Sequence, residues 1–464
     1  MITGTLSDLG KVIAGRPLAD KARPVTYTGL SIDTRTLVRE NLFVAIKGES
    51  DDGHKYIAQA QSSGAAAYII QSGYEAHVPA EIKECTLVVE DTHKALRDIS
   101  FWWRKKFNPK IIAVTGTNGK TTTKEMIADL LSGNYRVFRS PGNFNNLYGI
   151  PLSLCLLDDS YEVCVLELGM SYPGEIAILT KIVRPDIALI TNVGPAHLET
   201  MGSLENIAKA KFELFENSAE STLRILNLDD PLLARRYELE DGPRLGFAVY
   251  SEADVRPSGF SANSMGRMIF DYADQNIHLQ VSGLHNLYNA LAACAVGKAF
   301  NLETATIKSA LENFRAKSSR MQIINLKDIV IIDDSYNANP TSMGYALKVL
   351  HDMRVEGRRI AVLGDMKELG KDEVGLHQEI GRIIAELKPD ILVTVGKLGM
   401  HIASQANLEG YDSLSTRTYI SAAEAAEFLI SELRSGDHVL IKASRAMGFD
   451  KIVTELGKYL GEEN

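Results

Sequence analysis

Residues 115–123 read TGTNGKTTT and hold the residue types that cradle a polyphosphate. Gly116 and Gly119 let backbone N–H groups converge on an anion, and a helix starting behind them adds a partial positive charge. Lys120 can reach terminal phosphates and the hydroxyl of Thr121 can ligate Mg²⁺, while Thr117, Asn118 and Thr122 complete the polar loop. The spacing is shorter than a full Walker A, which wants glycine where Val114 stands; here the loop is Gly116-x-x-Gly119-Lys120-Thr121. A plain glycine turn ending in Lys-Thr would show the same letters. The flanks decide between them: the apolar run 111–114 reads as a buried strand and 124–131 as a helix, the layout of a phosphate loop.

Other candidates fall where strands end, which is where α/β proteins place ligands. Glu167 closes the apolar run 163–166, and a carboxylate there can ligate the Mg²⁺ held by the loop; a surface charge at a strand end is the plainer alternative. His197 follows the run 187–191, and a neutral imidazole there can bind a metal or orient a phosphate, although a lone histidine is as often structural. Lys209 and Lys211 lie on a helical stretch, where lysines are usually solvated. His285, Asn286 and Asn289 open an alanine-rich helix and can read a purine edge or merely cap that helix. In the last third, the polar loops 333–340, 364–370 and 442–447 each follow a strand. Three such loops on one sheet edge point to a site more strongly than any one of them.

Composition sets the outer limits. With 464 residues, two to four domains are expected. A content of 45% hydrophobic and 23% charged residues is that of a globular enzyme. The formal net charge of −9 argues against a nucleic-acid partner, though not against a local cationic pocket. Four cysteines (Cys85, Cys155, Cys164, Cys294) with no C-x-x-C spacing indicate neither a disulfide framework nor structural zinc. Asp8 and Lys11 interrupt the N-terminus before a signal sequence can form, and no apolar run approaches the ~18 residues of a membrane span. The expectation is a reduced, cytoplasmic, multidomain protein.

The elements that must position these residues form three α/β regions. Residues 1–90 mix strands at 42–46, 65–70 and 86–89 with a helix over 56–63, and a helix over 92–107, N-capped by Asp91 or Thr92, bridges onward. Residues 91–314 hold continuous apolar strands at 111–114, 163–168, 187–191 and 223–228 alternating with helices, the pattern of a parallel sheet covered on both faces. Within it, 251–282 reads as short strands with turns and 286–300 as helix. Residues 315–464 repeat the strand–helix alternation at 329–332, 360–363, 391–395 and 439–441, giving a second doubly wound sheet without G-x-G-x-x-G.

Taken together these motifs resemble the Mur ligase family, ATP-dependent amide-forming enzymes of peptidoglycan precursor synthesis. The shortened loop GTNGKTTT is similar to the family's own. The stretches 31–35 (SIDTR), 42–54 (LFVAIKGESDDGH), 142–146 (GNFNN), 208–215 (AKAKFELF) and 333–343 (DDSYNANPTSM) resemble the branch that adds D-alanyl-D-alanine to UDP-N-acetylmuramoyl-tripeptide. The resemblance covers nearly the whole chain. It implies three domains: one for the UDP substrate, a central P-loop ATPase domain, and a Rossmann-like C-terminal domain, in a monomer. It implies that Lys120 and Thr121 serve phosphate and a first Mg²⁺ with Glu167, and that His197 and a carbamylated lysine hold a second Mg²⁺. That lysine is placed at Lys211, because the aliphatic–aromatic pattern 212–215 follows it, with Lys209 the rival. It further implies Asn286 and Asn289 near adenine, and Arg320 and Asp334 near ribose and phosphates. Ser31, Arg35, Asn145 and Asn146 would face the UDP-linked substrate. The 333–340 loop with Tyr336 and Asn337 would face substrate too, and Lys442, Ser444 and Arg445 would lie near the dipeptide.

Overall fold

The apolar run before the glycine loop forms the strand Lys110–Thr115 at the interior of a six-stranded sheet. The structure, a computed structural model, describes residues 1–20, 24–317 and 319–461. From edge to edge the central strands are Arg244–Phe247, Leu223–Asn227, Ile187–Ile190, Lys110–Thr115, Val163–Glu167 and Val137–Arg139. All neighbours run parallel. The chain winds to one side of Lys110–Thr115 and then to the other, so the strand order switches at the phosphate loop, where such sheets open a crevice. Register pairs Glu167 with Val114 and Ile190 with Thr115. The loops bearing Lys120, Glu167 and His197 therefore leave the sheet at one level.

Alternation along each strand divides the core in two. Ile112, Val114, Val165 and Leu189 face the phosphate-loop helix Lys120–Ser132 and the alanine-rich helix Leu284–Ala299. Ile111, Ala113, Cys164 and Leu166 face the helices Glu175–Val183 and Leu204–Glu216. Val114 is fully buried in the first layer, so the position where a longer loop would carry glycine is here a core residue. The expected short strands after 251 form the antiparallel sheet Gly259–Ala262, Arg267–Tyr272 and Gln275–Ser282, which adds Phe270, Ile277 and Leu279 to that layer.

The C-terminal sheet orders Gln322–Leu326, Ile329–Asp333, His438–Lys442, Arg359–Gly364, Ile391–Val395 and Thr416–Tyr419. It is parallel except for its first pair. The three polar loops follow three adjacent strands of it. The N-terminal sheet is parallel through Thr86–Val89, Ala67–Gln71, Leu42–Val44 and Leu30–Ser31, with Arg16–Pro17 antiparallel at its edge. The bridging helix is Thr92–Arg104, capped by the Asp91 carboxylate, which accepts from the N–H groups of His93 and Lys94. Ala95, Leu96 and Ile99 enter the N-terminal core, while Trp103 donates its indole N–H to the carbonyl of Leu157 in the central domain.

Candidate active site

Both loop glycines are required by their surroundings. Gly119 has φ +81, and a Cβ there would stand 2.3 Å from Oδ1 of Asn289; a Cβ on Gly116 would overlap the Thr191 hydroxyl. The helix begins at Lys120, four residues before the apolar pattern shows it. Lys120 Nζ donates to the carbonyls of Gly116 and Thr117, at 2.8 and 3.0 Å. Burial lowers its pKa, opposed by the charge of Glu167. Thr117 exchanges hydrogen bonds with Gly194, Asn118 accepts at its carbonyl from Thr191 and Asn192, and Thr122 is half-buried in the first turn of the helix.

The Thr121 hydroxyl donates to Oε2 of Glu167 at 2.6 Å, and the Asn145 amide donates to Oε1 at 2.8 Å. A hydroxyl and a carboxylate side by side at the head of a phosphate loop form an oxygen donor set suited to a hard cation such as Mg²⁺. Among the described residues no three His, Cys, Asp or Glu side chains converge, so a cation there would complete its shell with ligand phosphates and water. Asn145 is seated because Gly169 has no side chain: a Cβ there would lie 2.9 Å from its Cγ.

The two lysine candidates separate clearly. Lys209 is exposed, whereas Lys211 is 3% exposed. Burial, and then the nearby charge of Lys120, hold the Lys211 amine well below its ordinary pKa. His197 has φ +55 and its Nδ1 lies 2.5 Å from Oε2 of Glu368 in the C-terminal domain. That bond holds the Glu368 carboxyl below its usual range.

The C-terminal loops close over this edge. The side-chain amides of Asn118 and Asn339 exchange hydrogen bonds across the domain boundary. Arg320 acts electrostatically on Lys120, and its guanidinium stacks 4.0 Å from the Tyr336 ring centroid, with Arg445 on the same ring at 5.5 Å. Lys442, 2% exposed, donates to Asp334 at 2.5 Å and to the carbonyl of Asn337, so it fastens the 333–340 loop from inside. The Ser444 hydroxyl accepts from the N–H of Lys367.

Other candidates are placed apart from this cluster or turned inward. Asn286 and Asn289 are buried and bonded to each other, and Asn289 also accepts from Thr123, one turn into the loop helix. The Asn146 side-chain oxygen accepts from the N–H groups of Tyr148 and Gly149 where the helix Gly149–Leu154 begins. Ser31 and Arg35 gather around Asp33 in the N-terminal domain, with Arg35 84% exposed.

Sequence reasoning missed Lys124, a fully buried lysine whose Nζ donates to the carbonyls of Ser140 and Gly142 and so anchors the loop that carries Asn145. It sits one turn past Lys120, a position whose only sequence signal is a charge within a buried helix. Glu368 and Asn339 lay inside loops singled out as polar, but nothing in the letters showed that they cross to the central domain.

A phosphate loop at the switch point of a parallel sheet, facing a second α/β domain, is the layout of a nucleotide-dependent enzyme. The family comparison agrees. The Mur ligase family catalytic domain matches residues 26–101, the Mur ligase middle domain 114–297, and the Mur ligase glutamate ligase domain 319–445. The chain belongs to the Mur ligase family. It is 33% identical to the UDP-N-acetylmuramoyl-tripeptide–D-alanyl-D-alanine ligase of Bacillus subtilis, over 98% of this chain and 99% of that one. Among solved structures it is similar to MurF from Acinetobacter baumannii, with TM-score 0.88 and 30% identity over 99% of both chains. MurF ligase from Thermotoga maritima in complex with ADP matches with TM-score 0.79 and 28% identity, over 94% of this chain and 98% of that one.

Proposed function

We propose that this chain joins D-alanyl-D-alanine to UDP-N-acetylmuramoyl-tripeptide using ATP, a cytoplasmic step of peptidoglycan precursor synthesis. The observation that carries this reading is the likeness to relatives of that one name, which runs from end to end and not only through the nucleotide domain.

A carboxylate is a poor acyl donor, so it must first be activated. Its oxygen attacks the γ-phosphorus, an O–P bond forms, the bridging O–P bond breaks and ADP leaves. The dipeptide's free amine then attacks the acyl phosphate carbonyl, a C–N bond forms, the C–O bond breaks and phosphate leaves with the excess amine proton passing to solvent. Lys120 and the loop N–H groups hold the triphosphate and stabilise charge that builds on it during transfer. Thr121 and Glu167 fit one Mg²⁺. His197 and Lys211 would hold a second if the Lys211 amine carries CO₂ as a carbamate, since burial shifts the amine toward the neutral form that CO₂ adds to and the product is an anionic oxygen donor. When bound, Mg²⁺ offsets the repulsion between the two reacting anions. Arg320, Asp334, Asn286 and Asn289 belong to the nucleotide side of the cleft. Asn145 and Asn146, with Ser31 and Arg35 further off, belong to the UDP-substrate side, and Tyr336, Asn337, Lys442, Ser444 and Arg445 to the dipeptide side.

The test is mass-spectrometric detection of product from UDP-N-acetylmuramoyl-tripeptide, Mg-ATP and a panel of single amino acids and D,D-dipeptides. Product with D-alanyl-D-alanine is expected. Product only with a single amino acid would move the chain to a sister activity of the family.

A further inference from the structure

Among the contacts that join the two domains bounding the cleft, one side-chain pair includes the candidate site residue His197. The loop after the strand Arg359–Gly364 brings Glu368 to His197, with Oε2 2.5 Å from Nδ1. The backbone agrees with the side chains: the N–H of Glu199 donates to the carbonyl of Glu368 at 3.2 Å. Two residues on, Gly370 (φ +69) passes so close that a Cβ would stand 3.0 Å from Cα of Glu199. Leu198, between the two contacts, packs against the C-terminal core. Both partners hold left-handed backbone, His197 at φ +55 and Glu368 at φ +64. Non-glycine residues keep that conformation only where their surroundings over-determine it.

The chemistry of the pair is directional. A carboxylate only accepts hydrogen bonds, so in the neutral imidazole Nδ1 carries the proton and Nε2 keeps its lone pair. A carboxylate partner of this kind orients a ring whose other nitrogen is in use. The pair is not a stability device, because the Glu368 side chain is 59% exposed, and exposed ion pairs contribute little to folding. Removing it opens no cavity.

We propose that Glu368 is a positioning residue: by bonding across the domain boundary it fixes the orientation and tautomer of His197, so that the catalytic centre is complete only when the C-terminal domain is seated. This rests on the ligase reading above. It gives the enzyme a reason not to react before the domain that carries the dipeptide loops has docked.

The test uses the full chain as Glu368→Ala and Glu368→Gln, the second keeping an acceptor oxygen without the charge. In Glu368→Ala, turnover is expected to fall at least tenfold while KM for the UDP-linked substrate and ATP stays within about twofold and the melting temperature is unchanged. Glu368→Gln is expected to recover most of that loss. A second readout needs no turnover: the ¹⁵N side-chain spectrum of histidine-labelled protein, with His197 assigned by comparison with His197→Ala. It should show Nδ1-protonated His197 in the parent and Glu368→Gln, and a mixture of tautomers in Glu368→Ala. Parent-like turnover in Glu368→Ala, or the same His197 tautomer with and without the carboxylate, overturns the proposal. If the parent makes no product, the ligase reading fails, and the spectrum still decides what Glu368 does to His197.

Discussion

Lys211 is a costly residue to bury as a cation, and the fold makes no ion pair for it among the described residues. Taking a charged amine out of water costs several kcal/mol, so burial shifts this group toward its neutral form. A neutral amine is a nucleophile toward CO₂, and a carbamate on Lys211 would turn a repulsive neighbour of Lys120 into an attractive one. Lys209, two residues away, points to solvent and has none of these properties. Lys211→Ala is therefore expected to reduce ligation at least ~10²-fold, the scale of losing one preorganised charged group, with partial rescue by small carboxylates. Lys209→Ala should ligate like the parent. The reverse pattern, loss at 209 and none at 211, would move the modified residue.

At the scale of elements, the sequence reading succeeded where strands are continuous and buried. The runs ending at Val114, Glu167 and Ile190 show their place in a covered parallel sheet because both faces need apolar side chains. Short edge strands such as Val137–Arg139, Arg244–Phe247 and Gln322–Leu326 escaped because half their side chains meet solvent and the apolar run is broken. The loop residues Lys120, Thr121 and Glu167 were legible because their chemistry follows from local spacing. Glu368 and Asn339 were not, since their partners lie more than 150 positions away and depend on how two domains seat.

Some elements are held by buried charge that no motif announces. Asp437, 1% exposed before the strand His438–Lys442, accepts from the guanidinium and N–H of Arg358 and from the N–H of Arg434. Burial pushes its carboxyl up, but the Arg358 bonds and backbone N–H groups outweigh this and hold it below the usual value of 3.8. A carboxyl lowered in the fold contributes stability above its unfolded pKa, and that contribution is lost as pH falls through its folded value. Asp437→Asn should cost about 3 kcal/mol in urea unfolding at neutral pH, the scale of breaking a buried pair. The gap to the parent should narrow as pH drops below about 4. An equal gap at pH 7 and pH 2 would contradict the charge argument.

At the scale of the whole molecule, the central and C-terminal sheets bring loops to a shared cleft, and the contacts across it mix polar pairs with apolar ones such as Leu198 and Met265 on the C-terminal core. The amide exchange of Asn118 with Asn339 and the His197–Glu368 pair join the phosphate loop's edge to the C-terminal domain. Polar contacts of this kind can break and re-form, which suits an enzyme that must admit a nucleotide, a large UDP-linked acid and a dipeptide before it reacts. No helix among the described residues is long and apolar enough to cross a membrane. This cleft uses a nucleotide to make an acid reactive toward a dipeptide's amine. The most direct measurement is release of ADP from Mg-ATP by the purified chain, followed with UDP-N-acetylmuramoyl-tripeptide and D-alanyl-D-alanine each present and absent. Sustained ADP release only when both are supplied is the predicted result; no release with both, or release indifferent to either, would contradict it.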